Sequence, residues 1–224
     1  MYSRSWSIIV LPLLVAGIVF AEEKEPKYQG KTLAEWLPGL KDADAKVRGE
    51  TAYALGRFGK KGQSAVKPLI EALGDKDEKV RAAATLALLS IKPSGKEAVA
   101  LLVARLRDKV TTTFAVQVLG AMGKEPVSDL MAALREPESR SGATLALRAI
   151  GKDAVPELID GLKDKEAVVR RASAEVLRRI GPAARPAVEA LVEALKDKDA
   201  AVREEAVAAL KEIDPEAAKK AIMP

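Results

Sequence analysis

Apolar residues recur along most of the chain at the spacing of amphipathic helices, as in Val66, Leu69, Ile70 and Leu73. The helical stretches come in pairs. First (A) helices are expected near 33–41, 65–74, 96–107, 126–135, 154–163 and 183–196, and second (B) helices near 45–58, 78–91, 109–122, 138–150, 167–180 and 200–213. Glycines 59, 74, 123, 151 and 181 fall where helices should end, in the left-handed conformation that glycine adopts cheaply. Pro68, Pro126, Pro156 and Pro186 fall in or just inside the first turns of A helices, where a missing N–H costs little.

The pairs are copies of one unit, roughly acid-x-x-Val-Arg-x-x-x-Ala-x-Ala-Leu. It is clearest at Asp42–Gly59 and returns as "DKDEKVRAAATLALLSI", "DKEAVVRRASAEVLRRIG" and "DKDAAVREEAVAALKEI". Aligning Leu55, Leu88, Leu119, Leu147, Leu177 and Leu210 gives steps of 33, 31, 28, 30 and 33 residues. A period near thirty predicts a stacked array in which each unit buries its apolar face against its neighbours.

This signature resembles the HEAT repeat, in particular the short HEAT-like repeats of phycobilin-lyase-type proteins, over residues 31–213. The resemblance implies an all-α fold, a right-handed α-solenoid of about six helix pairs, with B helices lining the concave side. It implies a binding scaffold more than a chemistry. No residue here maps onto a lyase site. HEAT-fold di-iron hydroxylases hold metal through His-Glu pairs, and this chain has no His. Without Cys or His there is no thiol nucleophile, imidazole base, disulfide or ordinary zinc or haem site. No cofactor and no enzymatic activity are therefore expected. A lyase-like accessory factor stays open as the alternative, and a polar cleft around Asp108 or Glu138 would favour it.

The N-terminus reads differently. Arg4, the apolar run 8–20 and the small residue Ala21 before "EEKE" have the layout of a secretory signal peptide, residues 1–21. The run is short for a membrane span, and an uncleaved anchor is the alternative. Cleavage removes one arginine and no acid, leaving 36 basic against 32 acidic residues, a balance that dictates no partner. A cysteine-free exported chain suits the periplasm or the exterior reached from it. Residues 22–30 read as a linker and 214–224 as a capping tail.

The acid before each valine position (Asp44, Asp77, Asp108, Glu136, Glu166, Asp199) suits the positive start of a B helix. The following Arg48, Arg81, Arg140, Arg170 and Arg203 suggest an acid–arginine ladder between repeats, broken at Thr112. With the valine position as zero, +3, +6 and +10 are expected to face the groove. They are charged at the ends of the array and apolar in the middle. Leu86, Phe114, Gln117 and Leu145, with Tyr53 at one edge, form a candidate stripe for a protein or peptide, unless helix rotation buries them between layers. Arg148, Arg178 and Lys211 share position +9, and with Arg171 and Arg179 form a basic row. Glu175 lies four residues from Arg171 and from Arg179, and Glu204, Glu205 and Glu212 follow, so an ion-pair network competes with an acidic partner. No aromatic side chain interleaves with these arginines, and nucleic acid is not expected.

Overall fold

Each unit folds as a short A helix, a tight turn and a longer B helix. The computed structural model of the protein describes residues 25–222; the expected signal segment lies outside them. A small antiparallel hairpin, β1 (Lys27–Tyr28) and β2 (Lys31–Thr32), precedes the array. The A helices are α1 (Leu33–Trp36), α3 (Val66–Ala72), α5 (Lys96–Ala104), α7 (Val127–Ala133), α9 (Val155–Gly161) and α11 (Val188–Ala194). The B helices are α2 (Ala45–Gly56), α4 (Glu78–Ile91), α6 (Lys109–Ala121), α8 (Pro137–Ile150), α10 (Ala167–Ile180) and α12 (Ala200–Ile213), and α13 (Pro215–Ile222) closes the end. The fold is all-α and repetitive, apart from the hairpin.

The repeat leucines Leu55, Leu88, Leu119, Leu147, Leu177 and Leu210 are all fully buried and join one continuous core. Each full burial removes apolar area worth about 1.5–3 kcal/mol from water. In α13 the buried Ala218 packs against the last unit.

Several expectations change. Residues 25–30 are not plain linker, because Lys27–Tyr28 pairs with β2. The A helices are shorter than the periodicity suggests. Their ends are 3-10 turns such as Leu37–Lys41, Gly59–Ala65 and Gly181–Ala187, the first and last holding Pro38, Pro182 and Pro186. Gly59, Gly123, Gly151 and Gly181 have φ between 53° and 73°, but Gly74 is not among the positive-φ residues. Twelve residues after the valine position, those four glycines share their place with Lys92, whose φ is 58°.

The acid–arginine ladder is also corrected. Asp44, Asp77, Asp108 and Asp199 cap the B helices, accepting bonds from Lys46, Lys79, Val110 and Ala201 N–H groups. Glu136 and Glu166 occupy the same place without a side-chain cap. The arginine staples its own A–B turn: Arg48, Arg81, Arg140, Arg170 and Arg203 each donate to two carbonyls four and five residues before the valine position. At the break, the Thr112 hydroxyl donates to the matching carbonyl of Leu106 at 3.2 Å. Only Arg48 and Arg170 also cross to the next repeat. Their bidentate partners are Asp75 and Asp197, two residues before the capping acids, at 2.6–2.8 Å. In the middle of the array Arg107 reaches Glu136 at 3.0 Å, and Arg135 binds Asp164 and Glu166. The crossing cation there comes from the turn: Leu134 stands where Asp75 and Asp197 stand elsewhere, while Asp164 keeps that place but is taken by Arg135.

The B helices approach one another unevenly. A Cβ on Gly56 would lie 2.8 Å from Ala87 Cα, and one on Gly120 would lie 2.7 Å from Ala149 Cβ. Those glycines let α2 sit tightly on α4 and α6 on α8. The same position holds Leu89 and Arg148 at the looser α4–α6 and α8–α10 junctions, but Arg178 holds it at α10–α12, which packs closely without a glycine.

Candidate functional site

Of the three helical positions expected to face the groove, two are largely exposed. At +10, Arg57, Ser90, Ala121, Ala149, Arg179 and Glu212 are all exposed. At +6, Tyr53 (56 % exposed), Leu86 (64 %), Gln117 and Leu145 (39 %) are exposed, while Glu175 and Ala208 are half-buried. Position +3 lies about 60° round the helix from +6 at 3.6 residues per turn and turns toward the preceding repeat. Gly142 and Ala172 are buried there, and a Cβ on Gly142 would lie 2.9 Å from Leu106 Cβ. Phe114 is half-buried against the core, its ring 5.4 Å from the Arg81 guanidinium carbon. Phe114 therefore belongs to the seam between two layers and not to the open stripe. The structure brings Leu86, Gln117 and Leu145 to one helical position, with small side chains at Ala82, Ser90, Ala121 and Ala149 around them. Gln117 and Leu145 border a shallow cleft of about 370 Å³ with Val116 and Ala149.

Val110 is an exposed apolar side chain (53 %) that the sequence reading missed. It precedes the valine position of its repeat, and helical geometry sets it close in angle to +6.

The basic row is partly neutralised. Position +9 faces the next layer, and from it Arg178 reaches Glu205 at that layer's +3 with Nε–Oε1 at 2.5 Å. Arg179 pairs with Glu175 at 2.9 Å along its own helix. Arg148, Arg171 and Lys211 are exposed and make no ion pair among the described residues. Asp108 and Glu138 are exposed in first turns, and Asp108 is engaged as a cap. Among the described residues, no group of three or more His, Cys, Asp or Glu side chains is placed to hold a metal ion, and no helix is long and apolar enough to cross a membrane.

The carboxylates that do depart from ordinary behaviour are structural. The Arg170 hydrogen bonds hold Asp197 below the usual carboxylate range, and Arg48 does the same for Asp75. Both pairs sit in the joints between repeats, away from the exposed face.

A cleft of about 820 Å³ opens at the N-terminal end of the B-helix face. Its walls are Tyr28 and Gln29 of the hairpin, Trp36, and the faces of α2 and α4 bearing Tyr53, Glu50 and Asp77. Tyr53 thus lines a separate aromatic cleft as well as ending the +6 row.

The family model for HEAT repeats matches residues 33–120 and 155–223. The chain belongs to the HEAT-repeat family. The unmatched stretch, residues 121–154, holds the fourth repeat, where Ser139 replaces the valine. No curated protein matches the chain. Among solved structures, the complex of CpcE and CpcF of phycocyanin lyase from Nostoc sp. PCC7120 is similar at 25 % identity, covering 91 % of this chain and 84 % of that one, TM-score 0.42. Human deoxyhypusine hydroxylase is similar at 26 % identity over 85 % and 76 %, TM-score 0.36. A designed armadillo repeat protein is similar at 18 % identity over 81 % and 100 %, TM-score 0.38.

Proposed function

We propose that this HEAT-repeat protein is an exported, non-enzymatic scaffold that binds a protein or peptide on the face made by its B helices. The observation that carries the reading is the exposure of Leu86 and Leu145 at the same position of α4 and α8, among small side chains and between charged ends. Apolar side chains kept in water by a regular array, beside shallow clefts, make a contact surface economical to bury. The absence of Cys and His supports a non-enzymatic role. The layout of residues 1–21 supports export, and N-terminal sequencing of the exported protein should read from Glu22. A start at Met1 would favour an anchored form.

Affinity capture from an envelope fraction with wild type, Leu86→Glu and Leu145→Glu tests the surface. Both variants should lose the captured partner while far-UV circular dichroism and melting stay as in wild type. Unchanged capture by both variants would refute the reading. A loss of about 2–5 kcal/mol of stability would mark the residues as core instead.

A further inference from the structure

Aromatic side chains are scarce in this chain, and their placement is uneven. The described residues hold Tyr28, Trp36, Tyr53, Phe58 and Phe114, and three of these five line the cleft at the N-terminal end. Its volume of about 820 Å³ falls within the ~300–1,000 Å³ of small-ligand sites. One wall is the hairpin, the element that the repeat does not account for. Its turn, Gln29-Gly30, has φ of 48° and 78°, the two positive values of a tight two-residue loop. Trp36 Nε1 donates to the Tyr28 carbonyl at 3.1 Å, and the two rings stand 6.4 Å apart at 42°. The wall is thus preorganised, so a ligand need not order it.

The charges select the ligand. Lys31 Nζ already lies 4.6 Å from the Trp36 ring centre and the Arg57 guanidinium carbon 5.9 Å from that of Tyr28. Within the cleft itself, Lys46 and Lys79 stand beside two acids. A cationic ligand would meet those two lysines. An anionic one would meet Glu50 and Asp77. A neutral molecule with many hydroxyls can use donors and acceptors of both kinds, and the exposed Tyr53 ring offers a platform for the C–H face of a pyranose. We propose that this cleft binds a neutral saccharide, with one ring laid on Tyr53, Trp36 at the back wall, and hydroxyls hydrogen-bonded by Glu50, Asp77 and Gln29. The site shares Tyr53 with the +6 row but includes neither Leu86 nor Leu145.

Trp6 and Trp36 are the two tryptophans of the sequence, so full-length protein carrying Trp6→Phe reports on the cleft alone. Titration with cellotetraose and maltotetraose, β- and α-linked neutral glucans, should shift Trp36 emission saturably with at least one of them. Tyr53→Ala should weaken that binding about tenfold, as for a lost aromatic contact of about 1.4 kcal/mol, with unchanged circular dichroism. The proposal is overturned if neither glucan gives a saturable shift, or if Tyr53→Ala binds as tightly. It is equally overturned if only a neutral acetyl-(Ala-Pro)4-amide peptide saturates the signal.

Discussion

Lys92 is a lysine in a glycine's place. At φ 58° its Cβ crowds the backbone, which costs an L-residue roughly 1–2 kcal/mol. Lys92→Gly removes that strain and gives back part of it as backbone entropy of the unfolded chain. A net gain of about 0.5–1 kcal/mol is expected, read as a melting temperature higher by about 2–3 °C; an unchanged or lower value would show that Lys92 is held by compensating contacts. Asp197 makes the opposite case. Its pair with Arg170 is nearly buried, and removing the carboxylate leaves an uncompensated guanidinium. Asp197→Asn should cost on the order of 3 kcal/mol near neutral pH. The native pKa of Asp197 is depressed below its ordinary 3.8. Its contribution is therefore complete above that ordinary value and is lost as pH falls through the native one. Melting curves of wild type and variant should converge below about pH 4; a constant gap down to pH 2 would mean the effect is packing and not charge.

At the scale of elements, the B helix has two sides that meet neighbouring layers and one that meets water. Position +9 touches the following repeat, +3 the preceding one, and +6 with +10 face out. Gly56 and Gly120 stand at +9 in the last turns of α2 and α6, where propensity alone favours alanine by less than the roughly 1 kcal/mol of a helix interior. The close approach of Ala149 reverses the sign, since forcing a methyl into a packed joint costs about 1–3 kcal/mol. Gly120→Ala should lower stability by about 1 kcal/mol on that balance. Gly49→Ala, whose nearest side-chain atom would be 4.0 Å away, should not. Chemical denaturation of the two variants side by side decides it, and equal stabilisation of both would remove the tight joint from the account.

For the whole molecule, the exposed face changes along its length. Lys46, Arg57 and Lys79 mark the first two repeats, Leu86 to Leu145 the centre, and Glu204 and Glu212 the last repeat. If the apolar centre carries partner binding, affinity should fall less than about threefold between 0.05 and 0.5 M salt, because screening acts on exposed charges and not on apolar burial. A fall of two orders of magnitude would assign the binding to Arg148, Arg171 and Lys211 instead. The pairing of Arg178 with Glu205 and of Arg179 with Glu175 already removes two members of that row.

The sequence by itself determined the repeat, the order of helices, the buried leucines and the caps at Asp44, Asp77, Asp108 and Asp199. Those depend on contacts within one unit, and a period repeated six times makes such contacts legible. What faces what across a joint was decided only in the tertiary structure. Helix rotation moved Phe114 into a seam and left Leu86 in water, and the arginines turned to their own loops. The acids that the repeat arginines reach across a joint proved to be Asp75 and Asp197, with Glu136, Asp164 and Glu166 taken by the turn arginines. The aromatic cleft needed the hairpin, a non-repeating element, to fold back on α1 and α2. A periodic pattern fixes which residues share a helix face, but the angle at which one layer sits on the next is set by the packed side chains of both.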